Sequence, residues 1–191
     1  MSVILVTGKS GVGKSTISMK LAKVLGYNYL GVDKVSHEIY NDKDMLNKTM
    51  EMFGNDIFGA DGKVDRKKLG KLVFNEPDKA KVQAFNDMAW EYIQSVVDKR
   101  LNEDIVIDWL LSPVTKYWDM ADYRILVRCP DDDMRFNRIM NRDNITLDYV
   151  KSRDKASLDF SKYTYDYTVI NTDSHIIDHL VEDIVLSLGK K

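Results

Sequence analysis

The segment at residues 8–15 limits what this chain can fold into more than any other feature of the sequence. It reads GKSGVGKS and directly follows a short apolar run that ends before Thr7. Closely spaced glycines let a backbone curl until several N–H groups face one anion, and a helix starting there adds the positive end of its dipole. Apolar residues then recur at helical spacing, at Ile17, Leu21, Val24 and Leu25. The sequence therefore predicts a buried strand, a phosphate-binding turn and a helix, in that order.

The spacing GxxxxGK[ST] gives this segment a specific chemistry. Lys14 would reach the β- and γ-phosphates of a nucleotide as a point charge, and the Ser15 hydroxyl would be offered to Mg²⁺. With average residue usage, a chance match to this spacing is on the order of 1% per chain of this size. The residues that we expect to bind the nucleotide are Gly8, Gly11, Val12, Gly13, Lys14, Ser15 and Thr16.

Composition excludes several classes of partner. The chain has 191 residues, 44% of them hydrophobic and 30% charged, which fits one globular domain with room for a small insertion. Its formal net charge of -2 provides no basic field for nucleic acid or an acidic membrane surface. Cys129 is its single cysteine, which favours a reducing compartment, and the apolar residues around it predict a buried thiol. The apolar run at residues 3–6 is far too short for a signal peptide or a membrane span, so we expect a cytoplasmic protein.

Apolar runs alternate with amphipathic segments along the chain, which predicts an α/β fold. Crossovers of a dozen or more residues between the runs indicate a doubly wound, five-stranded parallel sheet of the P-loop NTPase type. A helical segment is expected from residue 34 to 53, broken near Asn41, and a long amphipathic helix from Asp78 to Leu101. The expected strands lie at residues 2–7, 27–32, 105–107, 123–129 and 167–170.

Two classes of P-loop protein fit the sequence poorly. A GTPase needs an NKxD motif, which the chain lacks, and a DxxG motif, which residues 56–59 match only within a glycine-rich loop. A motor or remodelling ATPase would need a longer chain and a strand that ends in paired acidic residues. A compact transferase with its acceptor site in an insertion remains.

Four further segments of the chain form a recognisable series. They are VDKVSHE at residues 32–38, the FG, DGKVDR and VF elements within residues 53–74, RIMNRD at residues 138–143, and DYTVIN at residues 166–171. Together with the phosphate-binding turn, these segments resemble those of dephospho-CoA kinases, in the same order and along most of the chain. The resemblance implies an ATP-dependent phosphorylation of the ribose 3′-hydroxyl of dephospho-CoA, the last step in making coenzyme A.

The resemblance also gives roles to residues outside the phosphate-binding turn. Asp33 follows the second strand and would accept or orient the proton of the acceptor hydroxyl, or help to hold hydrated Mg²⁺; capping of the next helix is its other possible role. Asp108 ends the third strand and would hold Mg²⁺ through water, or cap a turn. Asn171 belongs to the loop that the resemblance places beside adenine.

An arginine-rich segment after the fourth strand is similar to the family's lid. Arg138 and Arg142 are four residues apart and share a helical face, on which Arg135 also falls. Their planar guanidinium groups would grip the ATP phosphates when the lid closes and excludes water. The alternative is a solvated basic face paired with the acidic residues 131–133. We prefer Arg142 for the contact with phosphate.

Two departures from the family pattern lie on the acceptor side. Asp87 and Met88 stand where the family usually has His-Pro, and residues 108–112 read DWLLS where it often has DxPLLFE. A kinase of a nucleoside or nucleoside monophosphate, and a nucleotide-binding relative that transfers no phosphate, therefore stay open.

The expected division of the chain follows from these assignments. Residues 1–34 and 102–191 would form the nucleotide-binding core, with a lid at about 131–162, and residues 35–101 a helical insertion that binds the acceptor. The expected partners are small-molecule nucleotides, with ATP as phosphoryl donor and Mg²⁺ as cofactor. We expect a monomer or a small homo-oligomer.

Overall fold

A computed structural model describes residues 1–189 of the chain. Its strands and helices, in chain order, are β1 (Val3–Thr7), α1 (Lys14–Leu25), β2 (Asn28–Gly31), α2 (Val32–Glu38), α3 (Lys43–Phe53), α4 (Arg66–Asn75), α5 (Lys79–Asp98), β3 (Ile105–Asp108), α6 (Tyr117–Met120), β4 (Tyr123–Arg128), α7 (Asp132–Asp143), α8 (Leu147–Lys155), β5 (Tyr167–Ile170) and α9 (Ile177–Leu188). Short 3₁₀ helices at Ile39–Asn41, Asn55–Ile57, Ser112–Val114, Phe160–Lys162 and Ser174–Ile176 connect several of them.

The strands form one sheet in the order β2-β3-β1-β4-β5, and every pairing in it is parallel. The predicted five-stranded parallel α/β fold is thus confirmed. Val6 near the end of β1 lies opposite Asp108, the last residue of β3, which also faces Gly31 at the end of β2. The carboxyl ends of the strands therefore meet at one edge of the sheet, which is where open α/β sheets bind ligands.

Burial explains why the central strand and the first helix form. Every residue of β1 is buried, as expected for a parallel strand covered on both faces. Helix α1 begins immediately after Gly13 and ends at Gly26, whose φ of 70° closes the helix with bonds to the Ala22 and Lys23 carbonyls. The buried residues that pack around this helix and the sheet are Ile4, Val6, Val12, Ile17, Leu21, Ala22, Val106, Tyr123, Ile125, Val127, Val169, Ile177, Val181 and Ile184.

Contacts divide the chain into two compact units, one made of residues 1–33 with the chain from Arg100 onward, the other of residues 34–99. The second unit is helical and packs around Ile57, Leu69 and Phe85. Its helices α3, α4 and α5 begin at aspartates whose side chains accept backbone N–H bonds, at Asp42, Asp65 and Asp78. Because these caps satisfy donors that a helix start leaves open, they define where each helix begins.

The predicted break near Asn41 is confirmed, since a 3₁₀ turn at Ile39–Asn41 separates α2 from α3.

Strand β4 stops at Arg128, so Cys129 lies outside it. The prediction of a buried thiol was wrong: Cys129 is half-buried and its Sγ lies 3.3 Å from the Asp131 carbonyl oxygen. Cys129 and Pro130 both line a cavity at the end of this strand. Within residues 1–189, the helices are all too short or too polar to cross a bilayer.

Candidate active site

The turn between β1 and α1 has the backbone that a phosphate-binding loop requires. Gly8, Gly11 and Gly13 have φ angles of 141°, 78° and 93°, a region that residues with a Cβ rarely adopt. Space is also limiting, because a Cβ on Gly11 would lie 2.8 Å from the Arg135 carbonyl oxygen. A Cβ on Gly8 or Gly13 would overlap neighbouring atoms as well. Both conformation and packing therefore require glycine at these three positions.

Donors from three different elements hold the carbonyl groups of this loop. When the N–H groups of such a turn face an anion, its carbonyls face outward and need partners. Lys14 Nζ donates to the Lys9 carbonyl at 3.2 Å, and Asn171 Nδ2 donates to the Val12 carbonyl at 2.8 Å. Arg135 Nη1 donates to the Ser10 carbonyl at 3.2 Å. Asn171 and Arg135 thus hold the loop from outside, while Lys14 links two residues of the loop to each other.

Lys14 lies at the centre of a group of charged side chains. Only 6% of this residue is exposed, and burial lowers the pKa of its ammonium group. The negative charges of Asp108 and Asp33 oppose that effect. The positive charge of Arg142 adds to it. The structure thus brings together four side chains that the sequence placed in one site: Lys14, Asp33, Asp108 and Arg142.

Ser15 and Asp108 form the closest polar contact of the site. Ser15 Oγ donates to Asp108 Oδ2 at 2.5 Å, and the Tyr29 hydroxyl lies 3.4 Å from the same oxygen. Asp108 is 4% exposed, and burial raises the pKa of its carboxyl against the opposing charge of Lys14. Burial and the charge of Asp108 together raise the pKa of Tyr29 to about 12, so its phenol stays protonated at neutral pH.

The donor set at Ser15 and Asp108 fits Mg²⁺. A hydroxyl and a carboxylate supply the oxygen ligands that this ion prefers. Asp108 Oδ1 is buried and has no hydrogen-bond partner among the described residues, which leaves it available to a water of a hydrated ion. Among residues 1–189 no group of three or more His, Cys, Asp or Glu forms a metal cage. Mg²⁺ would therefore complete its shell with water and nucleotide phosphate oxygens, as it does in many kinases.

The remaining predicted residues occupy distinct places. Asp33 is exposed on the first turn of α2, and Arg142 is exposed at the end of α7, where it forms two hydrogen bonds to Asp143 at 2.7 and 2.9 Å. These bonds raise the pKa of Arg142, and the charge of Asp33 contributes to the rise. Arg138 is half-buried, with Nη2 3.2 Å from Met134 Sδ.

Three predicted nucleotide-binding residues differ in how much of them a ligand can reach. The Val12 side chain is 2% exposed and belongs to the core, so only its backbone is available. Asn171 is also 2% exposed and lies beneath the loop, where it bonds to Val12 rather than facing solvent. Thr16 is exposed on the first turn of α1.

Arg135 differs from its predicted place on an open lid face. It is 1% exposed, and its Nε and Nη2 bond to Asp132 Oδ1 at 3.0 and 2.7 Å. Its Nη1 bonds to Asp154 Oδ1 at 2.7 Å in addition to the Ser10 carbonyl, while Asp154 Oδ2 accepts from Lys9 Nζ at 2.9 Å. The 135/132 spacing is an ion-pair signal in the sequence, but no sequence pattern points to Asp154.

The acid stability of the chain should depend on Asp154. Burial alone would raise the pKa of this carboxyl, but hydrogen bonds from Arg135 and Lys9 lower it below its ordinary 3.8. A depressed pKa stabilises the fold above 3.8, and this contribution is lost as the pH falls through the lowered value. Thermal unfolding at pH 6 and at pH 3 should therefore show wild type losing more stability than Asp154→Asn. For each kcal/mol that wild type loses beyond the loss in Asp154→Asn, the difference in Tm between the two proteins should narrow by about 2–4 °C. Parallel losses in the two proteins would contradict the expectation.

A cavity of about 190 Å³ lies beside the phosphate-binding loop, within the unit formed by residues 1–33 and the chain from Arg100 onward. Ser10 of the loop and Arg142 and Asp154 of the α7–α8 region line it, together with Leu110 and Leu111, which follow β3. The cavity thus has charged groups of both signs next to apolar ones.

The family model for dephospho-CoA kinase matches residues 2–178. The chain belongs to the dephospho-CoA kinase family. The family assignment made from the sequence is confirmed, and with it the class of enzyme, a phosphotransferase with an alcohol acceptor. Membership of this family implies ATP as the phosphoryl donor and a place in coenzyme A biosynthesis.

Individual relatives agree with the family match. A dephospho-CoA kinase of Fusobacterium nucleatum is 30% identical over 167 residues, which cover 83% of this chain and 83% of the relative. A Thermus thermophilus crystal structure superposes with a TM-score of 0.77 at 23% identity and covers 97% of this chain and 96% of that one. A dephospho-CoA kinase structure from Campylobacter jejuni has a TM-score of 0.67 at 23% identity, covering 99% and 98%. Both solved structures have the same fold as the present chain.

Proposed function

We propose that the protein transfers the γ-phosphoryl group of ATP to the 3′-hydroxyl of dephospho-CoA, which gives coenzyme A and ADP. The observation that carries the proposal is the convergence of Lys14, Asp33, Asp108 and Arg142 around the phosphate-binding loop of a chain in this family. Phosphoryl transfer needs little covalent chemistry from a protein. It needs phosphates held in place, an aligned hydroxyl and cations against developing charge. Lys14 and Arg142 supply the cations, and Asp33 supplies a carboxylate for the hydroxyl.

Each group has one task in the transfer. The bond that forms joins the acceptor oxygen to the γ-phosphorus, and the bond that breaks joins that phosphorus to the β–γ bridging oxygen. Asp33 is exposed, and its negative charge acts on Lys14 and Arg142. It accepts the hydroxyl proton and passes it to water. Lys14 and the N–H groups of the loop hold the transferred phosphate oxygens. Arg142, with Arg138 one turn further back on α7, contacts the phosphates from the lid segment at about 131–162, whose Arg135 and Asp154 already bond to the loop.

Mg²⁺ belongs to this proposal. Ser15 would hold it directly and Asp108 through water, and the ion would neutralise charge on the β- and γ-phosphates. The helical unit at residues 34–99 is proposed to bind the acceptor, and the single cysteine favours the cytoplasm as the site of action.

An acceptor panel tests the proposed function. The protein is incubated with ATP, Mg²⁺ and one acceptor at a time, and ADP and the phosphorylated product are measured by chromatography. Product from dephospho-CoA alone supports the proposal. Product from nucleosides or nucleoside monophosphates alone would replace it with a nucleotide kinase, which the Asp87 and Met88 departure makes the alternative acceptor class. ATP binding without turnover on any acceptor would indicate a non-catalytic relative.

Asp108→Asn should weaken the response to Mg²⁺. Asparagine still accepts the Ser15 hydroxyl bond but removes the negative charge that would orient the waters of the ion. We expect the Mg²⁺ concentration for half-maximal rate to rise about 10–100-fold, as for other groups that act behind metal ligands. Magnesium titrations at saturating ATP measure this. Asp104→Asn is the matched control, because Asp104 precedes the same strand at its opposite end and bonds to Ser2 N. An unchanged Mg²⁺ requirement in Asp108→Asn would remove Asp108 from the proposal.

A further inference from the structure

Beneath the phosphate-binding loop lies a guanidinium group with almost no access to solvent. Arg135 is 1% exposed, and its hydrogen bonds go to Asp132, to Asp154 and to the Ser10 carbonyl. A buried cation costs free energy unless it is paired and its donors are satisfied. Bonds from three of its nitrogens to two carboxylates and a carbonyl satisfy this requirement, so the position of Arg135 is strongly determined.

Asp154 connects this buried group to the loop a second time. One of its oxygens accepts from Arg135 and the other from Lys9 Nζ at 2.9 Å. Lys9 is the second residue of the GKSGVGKS segment and Ser10 the third, so successive loop residues are tied to the same pair. Asp154 lies in the last turn of α8, within the predicted lid.

We propose that Arg135 and Asp154 are positioning residues that set the shape of the loop for the triphosphate of ATP. Arg135 holds the Ser10 peptide with its carbonyl turned toward the protein. Asp154 holds Arg135 in that orientation and draws the Lys9 ammonium group to the end of α8. Neither side chain touches the reacting atoms, and both act through the loop backbone. This role rests on the proposed function because it takes ATP as the ligand of the loop.

Charge and positioning predict opposite results for one substitution. Asp154→Asn removes a negative charge close to the place of a triphosphate, so charge alone would make ATP bind more tightly. If Asp154 positions the loop, the same change weakens ATP binding, since Arg135 and Lys9 lose the carboxylate that orients them. The sign of the change in ATP affinity therefore separates the two effects.

The test measures ATP dissociation constants of the whole chain by titration calorimetry, for wild type, Arg135→Gln, Asp154→Asn and the double variant. We expect a rise of about tenfold for each single variant, a typical size for coupling through a side-chain network. Because the two residues act as a unit, the double variant should also rise about tenfold rather than about a hundredfold. The affinity for dephospho-CoA should stay close to that of wild type in all of them.

A control separates positioning from lost stability. Met140→Ala loosens the packing of α7 on α8 at the cluster formed by Phe136, Ile139 and Val150, without touching the charged pair. It should lower Tm yet leave ATP affinity within about twofold of wild type. Binding stoichiometry reports the folded fraction of every variant. Unchanged or tighter ATP binding by Asp154→Asn, or multiplied losses in the double variant, would overturn the positioning role alone. Absence of ATP binding by wild type would overturn the proposed function together with it.

Discussion

Lys14→Ala should lower the turnover number about a hundredfold or more, which corresponds to ~3 kcal/mol of transition-state stabilisation. The charge on the transferred phosphoryl oxygens grows in the transition state, and Lys14 is a buried cation within the phosphate-binding loop. Because Lys14 is buried, water does not readily take the place of the lost ammonium group. The turnover number with ATP and dephospho-CoA, both saturating, measures the effect.

Lys20→Ala is the matched control for this prediction. Lys20 lies on the same helix, α1, but forms a surface ion pair with Asp178 and is 43% exposed at its side chain. Surface pairs contribute about 0–1 kcal/mol, so this variant should keep normal turnover. Circular dichroism confirms that both variants fold. If Lys14→Ala turns over like the control, Lys14 does not meet the transferred group.

Asp33→Asn should reduce turnover by about 10²–10⁴-fold, the usual contribution of a general base, while ATP affinity changes little. The amide has nearly the size of the carboxylate but cannot take the proton of the acceptor hydroxyl. Asp33 is exposed on the first turn of α2, so its replacement creates no cavity in the core. Turnover is measured with dephospho-CoA as acceptor, and the ATP dissociation constant by calorimetry.

Two further measurements make the Asp33 result specific. Glu38→Gln changes a carboxylate on the same helix that pairs with Lys34 at the surface, and it should leave turnover unchanged. Raising Mg²⁺ should not restore Asp33→Asn if the residue acts on the proton. Restoration would assign Asp33 to holding hydrated Mg²⁺ instead. Weakened ATP binding with normal turnover would show that Asp33 serves neither task.

The phosphate-binding loop and the central strands could be predicted from short stretches of sequence. The glycine spacing at residues 8–15 fixes a turn whose φ angles only glycine adopts easily, so the loop could be read directly from the sequence. Burial on both faces made the central strands β1 and β3 visible as apolar runs, which is why the parallel sheet was also predictable. Lys14, Ser15 and Asp108 follow from their places at strand ends and at a helix start.

Residues that act through tertiary contacts were less predictable. Asn171 was expected beside a base, but its side chain is buried against the Val12 carbonyl 159 residues away in sequence. The spacing places Arg135 on the same face of α7 as Arg138. In the structure, however, Arg135 bonds to Asp154, a carboxylate on the neighbouring helix α8. Periodicity shows which face a residue lies on but not what packs on that face. The pairing that holds the loop therefore became visible only in the folded chain.

Retention of ATP at equilibrium tests the phosphate-binding loop most directly. Dialysis of the folded protein against radiolabelled ATP and Mg²⁺ should give one bound nucleotide per chain. Gly13→Ala should retain none, because its Cβ would overlap Asn171 at a φ of 93°. Gly70→Ala should bind like wild type, since its Cβ would meet no atom within 4 Å. A wild-type protein that retains no more ATP than Gly13→Ala would contradict the assignment of residues 8–15 as a loop that binds the phosphates of ATP.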